Sequence, residues 1–392
     1  MKILFQSRVD LYSPRGGDTI QMEKTKEAIE KLDKNIQIDI VADMRPKNID
    51  EYDLVHLFNL DWICETYGQL KWAKKHGKKV ILSAIHHSES EVKKYEDLAR
   101  YDIRRIYNAL ISSQSLRDEF KNLYRSIFNL KKLEPTIGQL FRGIRNEQRY
   151  ILENSDLVLV QTKIEADEIN KDFNVNLTKY YEVVNGVDAE LFTRTSKEKF
   201  ENLVKKSCGV NLDAKKILLS VGRVEARKNQ LTLINIFNDL QDDERFNDFY
   251  LVFIGGMTDK SYEYTTKFNS LVKNNDRILY LGPQTQDIVA SAMRFPGIFV
   301  HTSWFETTGL VCLEALLSEM NVVSTSTRLK EYVGDNIVYC NPDSPESIKN
   351  AILEASRKGP VSTELVDLII KNYSWENTAA QTLEAYKKLK IQ

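Results

Sequence analysis

Two doubly wound α/β domains are what this sequence predicts, and three observations carry the prediction: its length, the spacing of its short apolar runs, and the restart of that spacing halfway along. A chain of 392 residues exceeds one ordinary domain, so two cores are expected. Hydrophobic residues make up 42% and charged residues 28%, which is apolar content enough to fill both.

The first series of runs lies at 2–7 (KILFQS), 36–42 (IQIDIVA), 53–58 (DLVHLF), 79–85 (KVILSAI) and 156–162 (DLVLVQT). Between the first two, Met22, Thr25, Ile29 and Leu32 fall on one helical stripe. Near-continuous apolar strands alternating with amphipathic helices predict a parallel sheet covered on both faces. The series then restarts at 215–222 (KKILLSVG), 250–256 (YLVFIGG), 277–282 (RILYLG), 297–303 (GIFVHTS), 321–325 (NVVST) and 336–340 (NIVYC). Polar SKEKFENLVKKS at 196–207 reads as a linker running into a helix, so the expected domains are 1–195 and 196–372. Ligands of such sheets bind at the carboxyl ends of the strands, and a cleft between two of them is a natural site.

Composition narrows the function. A net charge of −1 argues against a nucleic-acid partner, which calls for a basic surplus. Cys64, Cys208, Cys312 and Cys340 lie far apart, with no C-x-x-C pair, and read as reduced thiols rather than a disulfide frame or zinc site. MKILFQSRVD lacks the features of a signal peptide, and no apolar run approaches the ~18 residues that span a bilayer. A cytoplasmic protein is expected, at most peripheral at the inner face of the cell membrane.

Three turns carry chemistry. In HTSWFETTGLVCLEALLSEMNVV, from His301, a strand ends, a polar turn holds Glu306, Thr307, Thr308 and Gly309, and a helix bearing Glu314 follows. Gly309 permits close backbone approach, the helix N-terminus offers N–H groups to an anion, and two carboxylates can accept bonds from two hydroxyl-bearing groups of one ligand. Taken singly, Glu306 also reads as a solvated loop residue and Glu314 as a charge favoured by the helix dipole. In SVGRVEARKNQ, from Ser220, Arg223 and Lys228 flank a helix start and can clamp a diphosphate, or simply face water. In SPRGGDTIQMEK, Gly16 and Gly17 open the first helix, where backbone N–H groups can meet a phosphate; a glycine pair is by itself usually only a turn.

In this order, with NGVD at 185–188, these pieces resemble glycosyltransferase family 4, whose fold is GT-B: two Rossmann-like domains facing a cleft. The glutamate pair of HTSWFETTGLVCLEAL and the arginine and lysine of GRVEARKN carry the likeness, joined by LYLG at 279–282 and YSWENTAAQTLEAY at 373–386. The likeness covers most of the chain, strongest over 185–324 and weakest over 93–154. RGGDTIQ is also similar to bacterial enzymes that build surface polysaccharides.

The resemblance implies a retaining transferase with a UDP- or GDP-linked sugar donor and a glycan or lipid-diphosphate acceptor. It places the donor diphosphate on Arg223 and Lys228, the ribose on Glu314 and the transferred sugar on Glu306. Backbone groups around Thr307, Thr308 and Gly309 would hold sugar and phosphate, with Gly16 and Gly17 facing the diphosphate from the other domain. The family also has a histidine after the fourth strand; His86 and His87 are the candidates, His86 preferred as the first, and a structural histidine fits either. Trp304 and Phe305 stand where the family often has small residues, so the sugar's identity does not carry over. No cofactor and no metal are expected, since no D-x-D occurs and the cations can serve the leaving group. The C-terminal segment, 373–392, would return to the first domain.

Two alternatives share these residues: a nucleotide-sugar epimerase of the same fold, acting without an acceptor, and a non-catalytic partner subunit. A glycosidase has no use for a diphosphate clamp, and no G-x-G-x-x-G follows a strand to suggest an oxidoreductase. Last, residues 100–149 hold eleven Lys or Arg against five Asp or Glu. Leu116, Phe120, Leu123, Ile127 and Leu130 form an apolar stripe there, beside a cationic row of Arg117, Lys121 and Arg125, with Tyr124 and Phe128 widening it. An amphipathic helix on anionic lipid and a helix packed on its own domain are both expected from that pattern.

Overall fold

The computed structural model describes residues 1–12, 16–61, 63–99, 111, 113, 116–117, 119, 122–123, 126, 130–257 and 262–389, without the side chains of 63–64 and 130–135. Phe120, Lys121, Tyr124, Arg125, Ile127 and Phe128 of the basic segment lie outside the described residues, as do residues 13–15. The chain forms two compact units. Met1–Glu89, Leu110–Gly186 and Trp375–Gln392 make the first; Ser90–Ala109 and Val187–Ser374 make the second.

The first unit is built on β1 (Lys2–Gln6), β2 (Gln37–Val41), β3 (Leu54–Phe58), β4 (Lys79–Ser83), β5 (Leu157–Val160) and β6 (Tyr180–Glu182). They pair in parallel in the order β2-β1-β3-β4-β5-β6. β3 and β5 are buried at every position, which is why they appear as unbroken apolar runs. β6 had no such signal: it is a three-residue edge strand, YYE, with no buried position. Helix Gly17–Leu32 buries Met22, Thr25, Ala28 and Ile29, whereas Leu32, its last residue, is exposed. Helix Trp375–Lys388 packs on that helix and buries Ala379, Ala385 and Tyr386, whose hydroxyl lies 2.8 Å from Nδ1 of His56.

The second unit repeats the plan with β7 (Lys216–Val221), β8 (Phe249–Ile254), β9 (Ile278–Tyr280), β10 (Gly297–His301), β11 (Asn321–Ser324) and β12 (Val338–Tyr339). All pair in parallel in the order β12-β11-β10-β7-β8-β9. The turn after β8 needs glycine: Gly255 has φ +147°, and a Cβ there would fall 2.0 Å from the Gly222 carbonyl oxygen.

The unit boundary falls at Gly186–Val187, ahead of the expected residue 195. Helix Ala189–Arg194 belongs to the second unit because Phe192 is fully buried and its carbonyl accepts from Ser318 Oγ at 3.1 Å. The expected linker is instead helix Glu198–Cys208, with Phe200 and Val204, four residues apart, buried in the second unit. The second unit also takes in Tyr95, which packs on its core, and Lys94, paired with Asp343 at 2.7 Å.

Of the cationic row, only Arg117 is among the described residues. Arg117 is 3% exposed and donates from Nε to the Ile111 carbonyl at 2.7 Å, while Leu116 is exposed. Arg142 pairs with Glu147, and Arg149 donates to the Phe173 carbonyl, so part of the cationic surplus holds the fold together.

Candidate functional site

Strands β7 and β10 are parallel neighbours, with Leu219 opposite Phe299, so their carboxyl ends open side by side. Two bonds stitch the turns that follow. Thr302 Oγ1 donates to the Lys228 carbonyl at 2.9 Å, and the Trp304 N–H donates to the Arg227 carbonyl at 2.8 Å.

After β10 the chain reaches Gly309, which caps helix Leu310–Leu317 with φ +78°. A Cβ there would sit 3.5 Å from the His301 ring and would hold a left-handed conformation that β-carbon-bearing residues adopt at a cost. The helix buries Cys312, Leu313, Ala315, Leu316 and Leu317, which leaves Glu314 on its half-exposed side. Among the described residues the Glu314 carboxyl has no hydrogen-bond or ion-pair partner. Burial pushes its pKa up to about 7, with Asp188 adding to the shift. The carbonyls of Thr307 and Thr308 accept from Arg328 Nη1 at 3.2 Å and Ser326 Oγ at 3.4 Å, which fixes the turn.

Glu306 sits in that turn as the hub of an ion cluster. Its Oε1 pairs with Lys228 Nζ and lies 3.6 Å from Arg227 Nη1 and 3.5 Å from His301 Nε2. Burial alone would raise its pKa; Lys228 and Arg227 outweigh burial and hold it well below the usual carboxylate range. Burial lowers the Lys228 pKa, with Arg227 adding to that and Glu306 opposing it. No hydrogen bond from the described residues reaches Oε2, so that oxygen remains available to a hydroxyl. Arg223 is 44% exposed, its nearest carboxylate being Glu225 at 3.8 Å. The structure thus brings Arg223, Lys228, Glu306, Thr307, Thr308, Gly309 and Glu314 onto adjacent turns of one unit.

Arg227 was missed. In sequence it is one basic residue among several; in the structure it is a half-buried guanidinium 3.1 Å from Glu225 and 5.2 Å from the centre of the Phe305 ring. Only the adjacency of the two turns shows that it reaches Glu306.

Gly16, Gly17 and His86 belong to the first unit. Gly16 is the extended N-cap of helix Gly17–Leu32, and a Cβ on Gly17 would meet nothing within 4 Å, so the backbone there is uncovered. Beside it lies a second residue the sequence did not single out, Arg8, 6% exposed, with Nη1 3.5 Å from Asp18.

His86 is paired through both edges of its ring. It is 2% exposed, with Nδ1 2.9 Å from Asp61 and Nε2 3.0 Å from Asp172, so both ring nitrogens are committed to carboxylates. Burial opposes its charge, but Asp61 and Asp172 win and raise its pKa to about 10. These contacts hold the imidazolium at both ends. His87 is more open, with Nδ1 3.1 Å from Asp61.

Two parallel six-stranded units, with an acid–base cluster and an unpartnered glutamate at the strand ends of the second, define the GT-B class. Residues 209–374 match the family described as "Glycosyl transferases group 1". Among curated relatives, the D-inositol 3-phosphate glycosyltransferase of Corynebacterium urealyticum is 24% identical over 253 residues, which is 62% of this chain and 59% of that one. The O-antigen chain mannosyltransferase B of Escherichia coli is 26% identical over 245 residues, 61% of this chain and 62% of that one. The alignments therefore span less than two thirds of these relatives. Over whole chains, the sucrose-phosphate synthase structure from Thermosynechococcus elongatus matches with TM-score 0.71 at 16% identity, covering 99% of both. Anabaena HepE in complex with UDP and glucose matches with TM-score 0.66 at 14% identity, covering 99% of this chain and 100% of that one.

Proposed function

We propose that this chain is a retaining, metal-independent glycosyltransferase that moves a sugar from a UDP- or GDP-linked donor to a glycan or lipid-diphosphate acceptor in bacterial surface-polysaccharide assembly. The observation that carries the proposal is the pairing of two turns. Arg223 and Lys228 follow β7, and Glu306 and Glu314 follow the adjacent β10. In transfer, the bond from the anomeric carbon to the diphosphate oxygen breaks and a bond to an acceptor oxygen forms. Negative charge gathers on the departing diphosphate, where Arg223, Lys228 and the N–H groups at the Gly309 helix start are placed to offset it. Glu314, whose carboxyl has no partner among the described residues, accepts from the ribose hydroxyls; Glu306 accepts from the sugar through Oε2. The UDP complexes of the structural neighbours and the O-antigen relative support the donor class and the setting.

The test is product analysis with a panel of nucleotide sugars in EDTA, with and without lipid-diphosphate acceptors. Transfer with retained anomeric configuration supports the proposal. A changed sugar epimer formed from donor alone favours the epimerase, and donor binding without turnover under any condition favours a non-catalytic subunit.

A peripheral membrane contact is favoured by one observation. Helix Leu130–Arg142 exposes Ile137, Leu140 and Phe141, the last at 87%. They lie within the basic segment, three and four residues apart on one face. No helix among the described residues is long and apolar enough to cross a membrane. Salt-sensitive pelleting with anionic liposomes, lost in Ile137→Ser/Phe141→Ser, supports the contact; failure of the wild type to pellet at low salt removes it.

A further inference from the structure

Tyr95 comes from helix Glu89–Leu98, in the first half of the sequence, yet it packs on the core of the second unit. Its ring meets Phe305 edge-on at 5.6 Å between centroids and lies 6.4 Å from Trp304. The Phe305 ring in turn carries the Arg227 guanidinium, 5.2 Å from its centroid, and Arg227 lies 3.6 Å from Glu306 Oε1. A continuous column thus runs Tyr95–Phe305–Arg227–Glu306. Beside Tyr95 on the same helix, Lys94 pairs with Asp343 at 2.7 Å. Trp304, beside the column, is 8% exposed, and its indole N–H has no acceptor among the described residues. A buried donor left unpaired is costly, so an orphan beside a binding turn points to an acceptor that a ligand brings.

We propose that Tyr95 is a positioning residue for donor choice: it braces the Phe305–Arg227 stack, and through it Glu306, in the geometry that selects the transferred sugar. The inference rests on the donor-site reading above and extends it to a residue outside the motifs that define that site. Arg227 shares Oε1 of Glu306 with Lys228 and His301, so the angle at which Oε2 faces a hydroxyl depends on where Arg227 is held. Arg227 is held by Glu225 on one side and by the Phe305 ring on another. Removing the Tyr95 ring opens Phe305 to other rotamers and lets the stack relax. Discrimination between sugars depends on misfit at a rigid wall and fades when the wall loosens. The nucleoside diphosphate, gripped by Arg223, Lys228 and Glu314, meets that wall only through the Lys228–Glu306 pair, which the Tyr95 variants keep.

The experiment is isothermal titration of wild type, Tyr95→Ala, Tyr95→Leu and Tyr95→Phe with UDP, GDP, UDP-glucose, UDP-galactose, UDP-N-acetylglucosamine and GDP-mannose. Tyr95→Ala, or Tyr95→Leu where the alanine variant does not fold, is expected to bind the preferred bare nucleotide within about twofold of wild type. The same variant loses about tenfold on the preferred nucleotide sugar, and its preference over the nearest epimer falls toward one. Tyr95→Phe restores wild-type discrimination, because the ring alone does the bracing. A wild type that discriminates, with a Tyr95→Ala or Tyr95→Leu variant that keeps the same ratio, overturns the inference and leaves the donor reading standing. Equal weakening of bare nucleotides and nucleotide sugars also overturns it, since a purely structural role does that. A wild type that binds no nucleotide sugar overturns both.

Discussion

Lys228 and Glu306, 78 residues apart in sequence, form an ion pair between the turns that follow β7 and β10. The cation proposed for the donor phosphate and the carboxylate proposed for the donor sugar are thus partners of each other. A bound diphosphate has to share Lys228 with Glu306, and the sharing couples phosphate recognition to sugar recognition.

Arg223 gives the cleanest test of the phosphate clamp, because it is half-exposed and its loss leaves no buried charge behind. Arg223→Ala is expected to lower transfer about a hundredfold, roughly 3 kcal/mol of transition-state stabilisation, with an unchanged melting temperature. Lys228→Ala should lose at least as much. Near wild-type turnover at saturating donor in either variant removes the clamp.

The two glutamates should separate by ligand. Glu314→Gln weakens binding of the bare nucleoside diphosphate. Glu306→Gln leaves that binding intact or tighter, because Lys228 is released to the phosphate, and instead impairs the intact sugar donor. Equal losses for both ligands in both variants contradict this division.

Glu314 also sets a pH dependence. Its pKa is raised to about 7, so its carboxylate form grows as pH rises through neutrality. Nucleoside diphosphate affinity should rise about tenfold from pH 6 to pH 8, and the step should vanish in Glu314→Gln, where only phosphate titration remains. In the unliganded chain the sign is opposite. A raised carboxyl stabilises the fold below pH 4.5, and that contribution is lost as pH rises toward about 7. A pH step that persists in Glu314→Gln assigns it to another group.

His86 is expected to act on stability. His86→Ala leaves Asp61 and Asp172 without their shared cation and should cost about 3–5 kcal/mol at neutral pH. The His86 contribution is full below pH 6.5 and drains away as pH rises toward about 10, while those of Asp61 and Asp172, whose pKa values are lowered, are lost on acidification below 3.8. A variant that keeps its melting temperature but loses donor binding would return His86 to the site.

The strand series was legible because buried parallel strands are apolar throughout, and Leu54–Phe58 or Leu157–Val160 admit no other reading. Tyr180–Glu182 was not, since an edge strand with no buried position lacks that signature. That Glu306, Glu314, Arg223 and Lys228 lie on neighbouring turns was legible from the strand–turn–helix spacing around each. Arg227 and Tyr95 were not, because their partners lie 79 and 210 residues away and only tertiary packing brings them together. The partners of His86 were hidden for the same reason: its position after β4 is the expected one, but Asp61 and Asp172 come from elsewhere in the chain.

The central claim is that the second unit's two turns grip a nucleoside diphosphate without a metal ion. Isothermal titration of the full chain with UDP and with GDP in EDTA tests it most directly, comparing wild type with Arg223→Ala and Lys228→Ala. One of the two nucleotides should bind saturably at one site, and each variant should weaken it at least about tenfold. Absence of saturable binding to either nucleotide, or equal affinity in wild type and both variants, would contradict the claim.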